Sequence, residues 1–214
     1  MYSRFLFLGL RLSLCLGSLL ALSCSDLLLF RADSDYLPMP DGSEWKYVLG
    51  SDTTYVSVAG DSLVAGRTCT VVLRDYVPEF WLKEQSAAYR YISRDTTLGG
   101  GGRYVLEQRF CLVYLLPLIE GNSWQSVFED TVVVMGTDTV PVYHKLEAHV
   151  ASIEDVTTPA GLFSQCYRLD FNEEIRDLDT LVTSYSEWLA PGVGVVKRQS
   201  GADESALAWY RLGP

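Results

Sequence analysis

Histidine is scarce in this sequence, and the scarcity excludes a good deal. Only two occur in 214 residues, His144 and His149. A histidine-based triad or zinc centre has to be built from those two or not at all. Clustered positive charge is missing as well. No Lys/Arg-rich run exists and the formal net charge is −10, so nucleic acid is not an expected partner. Helical periodicity is absent outside the leader, where no window carries an i, i+3, i+4 apolar stripe. Charged residues make up only 21% of the chain, against 48% hydrophobic with thirteen Tyr and five Trp. Such a composition excludes disorder and supplies enough apolar surface for one real core.

What is present begins with a leader. "MYSRFLFLGLRLSLCLGSLLALSCSD" carries Arg4 and then runs apolar from Phe5 to Leu22, interrupted by Arg11 and small polar residues. Its uninterrupted part is too short to span a bilayer but suits a signal-peptide core. The end, "LLALSC", resembles the lipobox of bacterial lipoproteins. That resemblance implies cleavage before Cys24, diacylation of its sulfur and a membrane anchor. Ser25 follows the cysteine where an Asp would imply inner-membrane retention in enterobacterial lipoproteins, so the expected place is the outer membrane, facing the periplasm. Ala21-Leu22-Ser23 also fits an ordinary secretory cleavage site. An uncleaved anchor is a third reading, cut short by Asp26 and Arg31. The expected division is a signal peptide over residues 1–23, a tether over 24–43 and a domain over 44–214.

From Glu44 onward the signal is alternation over short runs bounded by Gly, Asp, Asn and Pro. In "EWKYVLG" it places Trp45, Tyr47 and Leu49 on one face. The spacing predicts an all-β single domain of about ten mostly antiparallel strands. A strongly curved sheet or a barrel is the expected closure, because a flat sheet that wide exposes too much. The runs "PDGSEWKYV" and "IEGNSWQSV" share acid-Gly-x-x-Trp. They read as two similar turns, each leading into a strand with an inward Trp.

Several motifs invite chemistry and do not sustain it. "GDSL" at Gly60 to Leu63 carries the letters found around the nucleophile of a group of esterases. Those enzymes need a helix after the serine and an acid three residues before their histidine. No helix is expected after Ser62, and Pro141 and Leu146 precede the two histidines. Gly60-Asp61 is therefore expected as a turn between two strands. On a strand, His144 and His149 fall on opposite faces. His144 joins Val142, Leu146, Ala148 and Val150 at the core edge, and His149 joins Lys145 and Glu147 at the surface. "DFNEEIRDLD" has Ile175 and Leu181 where a calcium loop needs Gly and Glu, so it reads as a solvated acidic loop. Gly99 to Gly102 lack the Lys-Ser/Thr of a phosphate loop and read as a strand connection. No catalytic residue, metal ligand or cofactor is expected.

"TTPAGLFSQCYRLDF" and "EWLAPGVGVVKRQ" resemble a pattern in uncharacterised bacterial envelope lipoproteins, and "LLPLIEGNSW" fits it too. Physically these are turns, with Pro159 and Pro191 setting φ before Gly161 and Gly192. The resemblance implies a periplasm-facing β domain on a lipid anchor. Function is then expected to be non-catalytic, either a structural or assembly component or a binder of a lipid-like ligand. The alternatives are a partner-binding adaptor in the envelope and a secreted enzyme with an unrecognised carboxylate site. Alternation places Cys69 in the core and both Cys111 and Cys166 on polar faces, which makes Cys111–Cys166 the expected disulfide in an oxidising compartment.

Overall fold

Among the described residues, twelve strands make a single sheet: β1 (Glu44–Leu49), β2 (Asp52–Val64), β3 (Arg67–Arg74), β4 (Val77–Lys83), β5 (Ala87–Thr97), β6 (Arg103–Leu115), β7 (Ser123–Val134), β8 (Asp138–Thr158), β9 (Gly161–Arg176), β10 (Thr180–Ala190), β11 (Gly194–Ser200) and β12 (Asp203–Arg211). The computed structural model describes residues 35–98, 101–134 and 138–214. The leader and Cys24 lie outside the described residues. The sheet order is β6-β5-β4-β3-β2-β1-β12-β11-β10-β9-β8-β7, antiparallel throughout. Chain neighbours thus pair all along the chain except β6 with β7, β12 returns to β1, and those two consecutive strands are the edges.

Those edges face each other across a seam, so the sheet is a nearly closed barrel. Trp124 Nε1 in β7 donates to the Val113 carbonyl in β6 at 3.0 Å, and Arg109 Nη1 reaches Ser126 Oγ at 2.8 Å. At the end of the hairpins, Leu106 of β6 packs with Val134, Val140 and Val142 of β7 and β8. An exposed edge is a template for adventitious pairing, and the seam covers both edges with side chains instead of a hydrogen-bond ladder.

Turn chemistry sets the register. Ala65 and Gly66 have φ of +48° and +78°, and Val64 pairs with Arg67 across them, a two-residue hairpin of the twist-matched kind. Gly192 follows Pro191 at φ +71°, and Val193 N–H returns to the Ala190 carbonyl at 3.2 Å, the signature of a type II turn. The two acid-Gly-x-x-Trp runs are the same device used twice. Gly42 and Gly121 both have positive φ. Gly42 N–H and the Ser43 carbonyl clasp Val58, and Gly121 N–H and the Asn122 carbonyl clasp Val150. Trp45 and Trp124 then enter β1 and β7 facing inward.

Several expectations are corrected. Gly60-Asp61 is not a hairpin turn but an irregularity inside β2, where the register with β3 slips between Val58 and Asp61 and Gly60 takes φ +80°. The glycine signal was real, but a bulge and a turn both use positive φ. Strand β4 has no counterpart in the alternation pattern because Pro78 interrupts it. Pro78 pairs with Leu73 of β3, while β5 meets β4 only from Trp81 onward, so its missing N–H faces no neighbour. The acidic run from Asp170 is strand, not loop, and β9 continues to Arg176.

The main core joins Val58, Leu146, Leu169, Leu189, Val196 and Leu207, among others, under the curl of the sheet. Tyr36 and Leu37, at the end of the stretch expected as a tether, are buried in it, and Lys83 Nζ holds the Leu37 carbonyl at 2.8 Å. Cysteine placement departs from the simple alternation. Cys111 and Cys166 lie in the main core, not on a wet face, and Cys69 is buried outside both apolar clusters. Gln165, at φ +58° with its N–H on Asp155 Oδ1, bulges β9 and reverses the parity at Cys166. All three are free thiols, and the sulfurs of Cys111 and Cys166 point at the carbonyls of Leu112 and Phe163.

Candidate functional site

The face of β6 carrying Glu107, Arg109 and Cys111 reads as polar and solvent-facing, yet it turns inward. Burial of Glu107 is complete at the side chain, and three cations converge on it. Arg94 Nε of β5 donates to Oε2 at 2.8 Å, Arg109 Nε to Oε1 at 2.7 Å, and His144 Nδ1 of β8 lies 2.9 Å from both oxygens. His144 Nε2 faces Glu173 Oε1 of β9 at 3.0 Å, and Arg94 Nη1 reaches Asp177 at 2.9 Å. The core-edge histidine expected from the sequence is therefore a fully buried bridge between two carboxylates.

This geometry fixes the charges. A carboxylate at each nitrogen favours the imidazolium form of His144, the one form that can donate from both. Burial pushes its pKa down, but the bonds to Glu107 and Glu173 outweigh burial and raise it. Burial likewise pushes Glu107 up, and the hydrogen bonds from His144, Arg94 and Arg109 more than reverse this, holding it at about 2. The group is balanced, with Glu107, Glu173 and Asp177 against Arg94, Arg109 and His144. It ties β5, β6, β8 and β9 together across the seam. A carboxylate held by three cations is a poor proton shuttle.

The network ends at a cavity. Arg90 of β5 stands 3.9 Å from Glu173 on one side and lines an opening of about 150 Å³ on the other. The cavity lies under the curled sheet and has two ends. Trp45, Val56, Val58, Val72 and Trp81 form an apolar wall, closed by Leu37 and Met39 from the segment before β1. Arg74, Arg90 and Arg198 face Glu79 and Glu187 at the polar end. Trp45 is anchored by its Nε1 on the Val193 carbonyl at 2.8 Å, and Tyr47 by its hydroxyl on the Val195 carbonyl at 2.8 Å. Tyr114 donates to Glu187 Oε2 at 2.6 Å. Burial raises the pKa of Tyr47, Tyr114 and Tyr185, so all three are neutral donors.

None of this constellation was legible as a site in the sequence. Its residues come from ten strands and share no spacing. The nearest signal was the set of charges Arg90, Arg94, Glu107 and Arg109 on the neighbouring strands β5 and β6. Ser62 does not join a triad. Both nitrogens of His144 are taken by carboxylates, and His149 is an exposed residue whose Nδ1 meets Ser123 at 3.0 Å. Lys145 pairs with Glu147 at 2.7 Å on that outer face, as alternation predicts.

Residues 130–207 match the family model described as DUF3108-like. That span covers both the TPAG turn and the APGVG turn. No curated protein matches the chain. Among solved structures, a candidate lipoprotein from Parabacteroides distasonis aligns over 83% of this chain and 99% of its own, at 11% identity and a TM-score of 0.46. A candidate exported protein with a YmcC-like fold from Bacteroides fragilis aligns over 83% and 99%, at 12% identity and a TM-score of 0.38.

Proposed function

We propose that this protein is a non-catalytic lipoprotein of the bacterial envelope that holds an apolar or amphiphilic ligand inside its curled sheet. The observation that carries this reading is the cavity itself: an apolar wall of Trp and Val, neutral tyrosines and a cluster of arginines and glutamates. Concave sites of that make-up are where small ligands bind. The non-catalytic part is supported by the engagement of both histidines and by the three cations that hold Glu107. Protein expressed in a bacterial host and sprayed under native conditions is expected to carry a small co-purified ligand. Clean apo protein that also fails to take up any fluorescent apolar probe would count against the reading.

The anchor is Cys24, acylated at the start of the mature chain and facing the periplasm from the outer membrane. Support comes from the leader and its lipobox-like end. A single acyl chain binds a bilayer only marginally, while two or more hold firmly, at about 0.8 kcal/mol per buried CH₂. Wild-type protein is expected to incorporate an alkyne fatty acid and to pellet with membranes, and Cys24→Ser to do neither. Soluble, unlabelled wild type with a free thiol at its first residue means ordinary secretion instead.

A partner-binding role is favoured by one feature. The hairpin tips at the end away from Glu44 expose Tyr76 at 89% and Val77 at 65%, together with Leu178 and Leu181. An envelope protein partner would find its apolar contacts there.

A further inference from the structure

We propose that the cavity is selective for a monocarboxylate, with the carboxylate held by Arg90 and Arg198 and a compact apolar body lying between Trp45 and Trp81. The inference rests on the reading of this cavity as a ligand site and names the ligand's chemistry.

The three arginines at the polar end are not equivalent. Arg74 Nε is committed to Glu79 Oε1 at 3.1 Å, and Glu79 is further held by Trp81 Nε1 at 3.1 Å. Arg90 and Arg198 have carboxylates nearby only at 3.9 and 3.8 Å, beyond hydrogen-bond reach. The carboxylate beside Arg198 is Glu187, which already accepts from Tyr114. Arg198 lies 4.0 Å from the ring centroid of Tyr185, a stack that fixes the guanidinium and leaves its N–H edge to donate. Tyr185 also lines the cavity, and among the described residues its hydroxyl has no protein acceptor. Two guanidinium groups and a neutral phenol therefore line one cavity with donors that have no protein acceptor within bonding distance.

Charge and size narrow the class. Three arginines against two glutamates leave the lining one positive charge in excess, which one carboxylate neutralises. A phosphate dianion would overcharge it. A dicarboxylate would force its second charge against Val56, Val58 and Val72, where burial of an unpaired ion is costly. A cavity of about 150 Å³ accommodates a body of benzene size. Longer chains must leave through the mouth or displace Leu37 and Met39. The fitting ligand is thus a small aryl or branched alkanoic acid.

The test is calorimetric titration of the full-chain protein with 3-phenylpropionate and with its neutral match, 3-phenylpropanamide, near neutral pH. The acid is expected to bind about tenfold or more tighter than the amide, the scale of hydrogen bonds to a charged group. In an Arg90→Gln/Arg198→Gln variant that advantage should shrink to about twofold or less, with amide affinity unchanged. Equal binding of acid and amide to wild type overturns the arginine assignment and leaves the cavity reading standing. Binding of neither overturns the cavity reading itself. Should the double variant fail to fold, a salt titration of wild type decides. The acid's advantage is expected to fall as ionic strength rises, and an advantage insensitive to salt overturns the assignment.

Discussion

Glu107→Ala is expected to destabilise the protein by about 3–5 kcal/mol, the cost of breaking a buried ion pair by removing one partner. The reason is local. Arg94, Arg109 and His144 all spend a donor on this carboxylate, at 2.7 to 2.9 Å. Its removal leaves three cations in the interior facing only Glu173 and Asp177. Glu107→Gln keeps the shape but not the charge and should recover only part of the loss. Urea unfolding of the two variants beside wild type measures this, and a loss below about 1 kcal/mol for Glu107→Ala would mean the network is dispensable.

The same cluster predicts a pH window. Glu107 is depressed from an ordinary 4.5 to about 2. Its stabilisation is therefore complete above 4.5 and disappears as pH falls toward 2. The shift corresponds to about 3 kcal/mol at most, at 1.36 kcal/mol per unit. His144 moves the other way. Its pKa is raised above the ordinary 6.5, so its contribution is complete below that value and is lost as pH rises through the folded value. Both contributions are complete only between about 4.5 and 6.5. Wild type should be most stable there, and the Glu107→Ala variant should show a flatter acid limb. An acid limb of unchanged slope would show that Glu107 does not titrate as its surroundings require.

Trp45→Ala should cost a comparable amount, about 3–5 kcal/mol, as large aromatic truncations in cores do. Trp45 is 6% exposed, fills the apolar wall of the cavity and ties β1 to the turn between β10 and β11 through the Val193 carbonyl. Trp45→Phe separates the two roles. It keeps most of the ring and loses the hydrogen bond, for which about 1 kcal/mol is expected, plus a share of lost volume. Thermal unfolding compares them. If the two variants lose equally, the hydrogen bond and not the packing dominates, and the wall is less well filled than its burial implies.

The all-β class, the antiparallel ladder and most strand positions were legible in the sequence, because each depends on contacts within a few residues. Alternation in β8 put Val142, His144, Leu146, Ala148 and Val150 on one buried face, and all five are there. The Pro-Gly turn at Pro191 and the two acid-Gly turns before Trp45 and Trp124 were equally plain, since a positive φ is a property of the residue that adopts it. The tertiary structure decided which face is inside once bulges intervene and what counts as an interior residue. Gln165 resets parity by one in β9, so the wet or dry side of Cys166 could not be read by counting alone. Polarity then misled on β6. Glu107 and Arg109 look like solvent residues along their own strand. They become interior residues only because Arg94, His144 and Glu173 arrive from three other strands with matching charge. The cavity has the same origin, with walls brought from both ends of the chain by the closure of β12 on β1. An ion pair or a cavity wall between residues a hundred positions apart depends on distance in space, and spacing along a chain does not encode that distance.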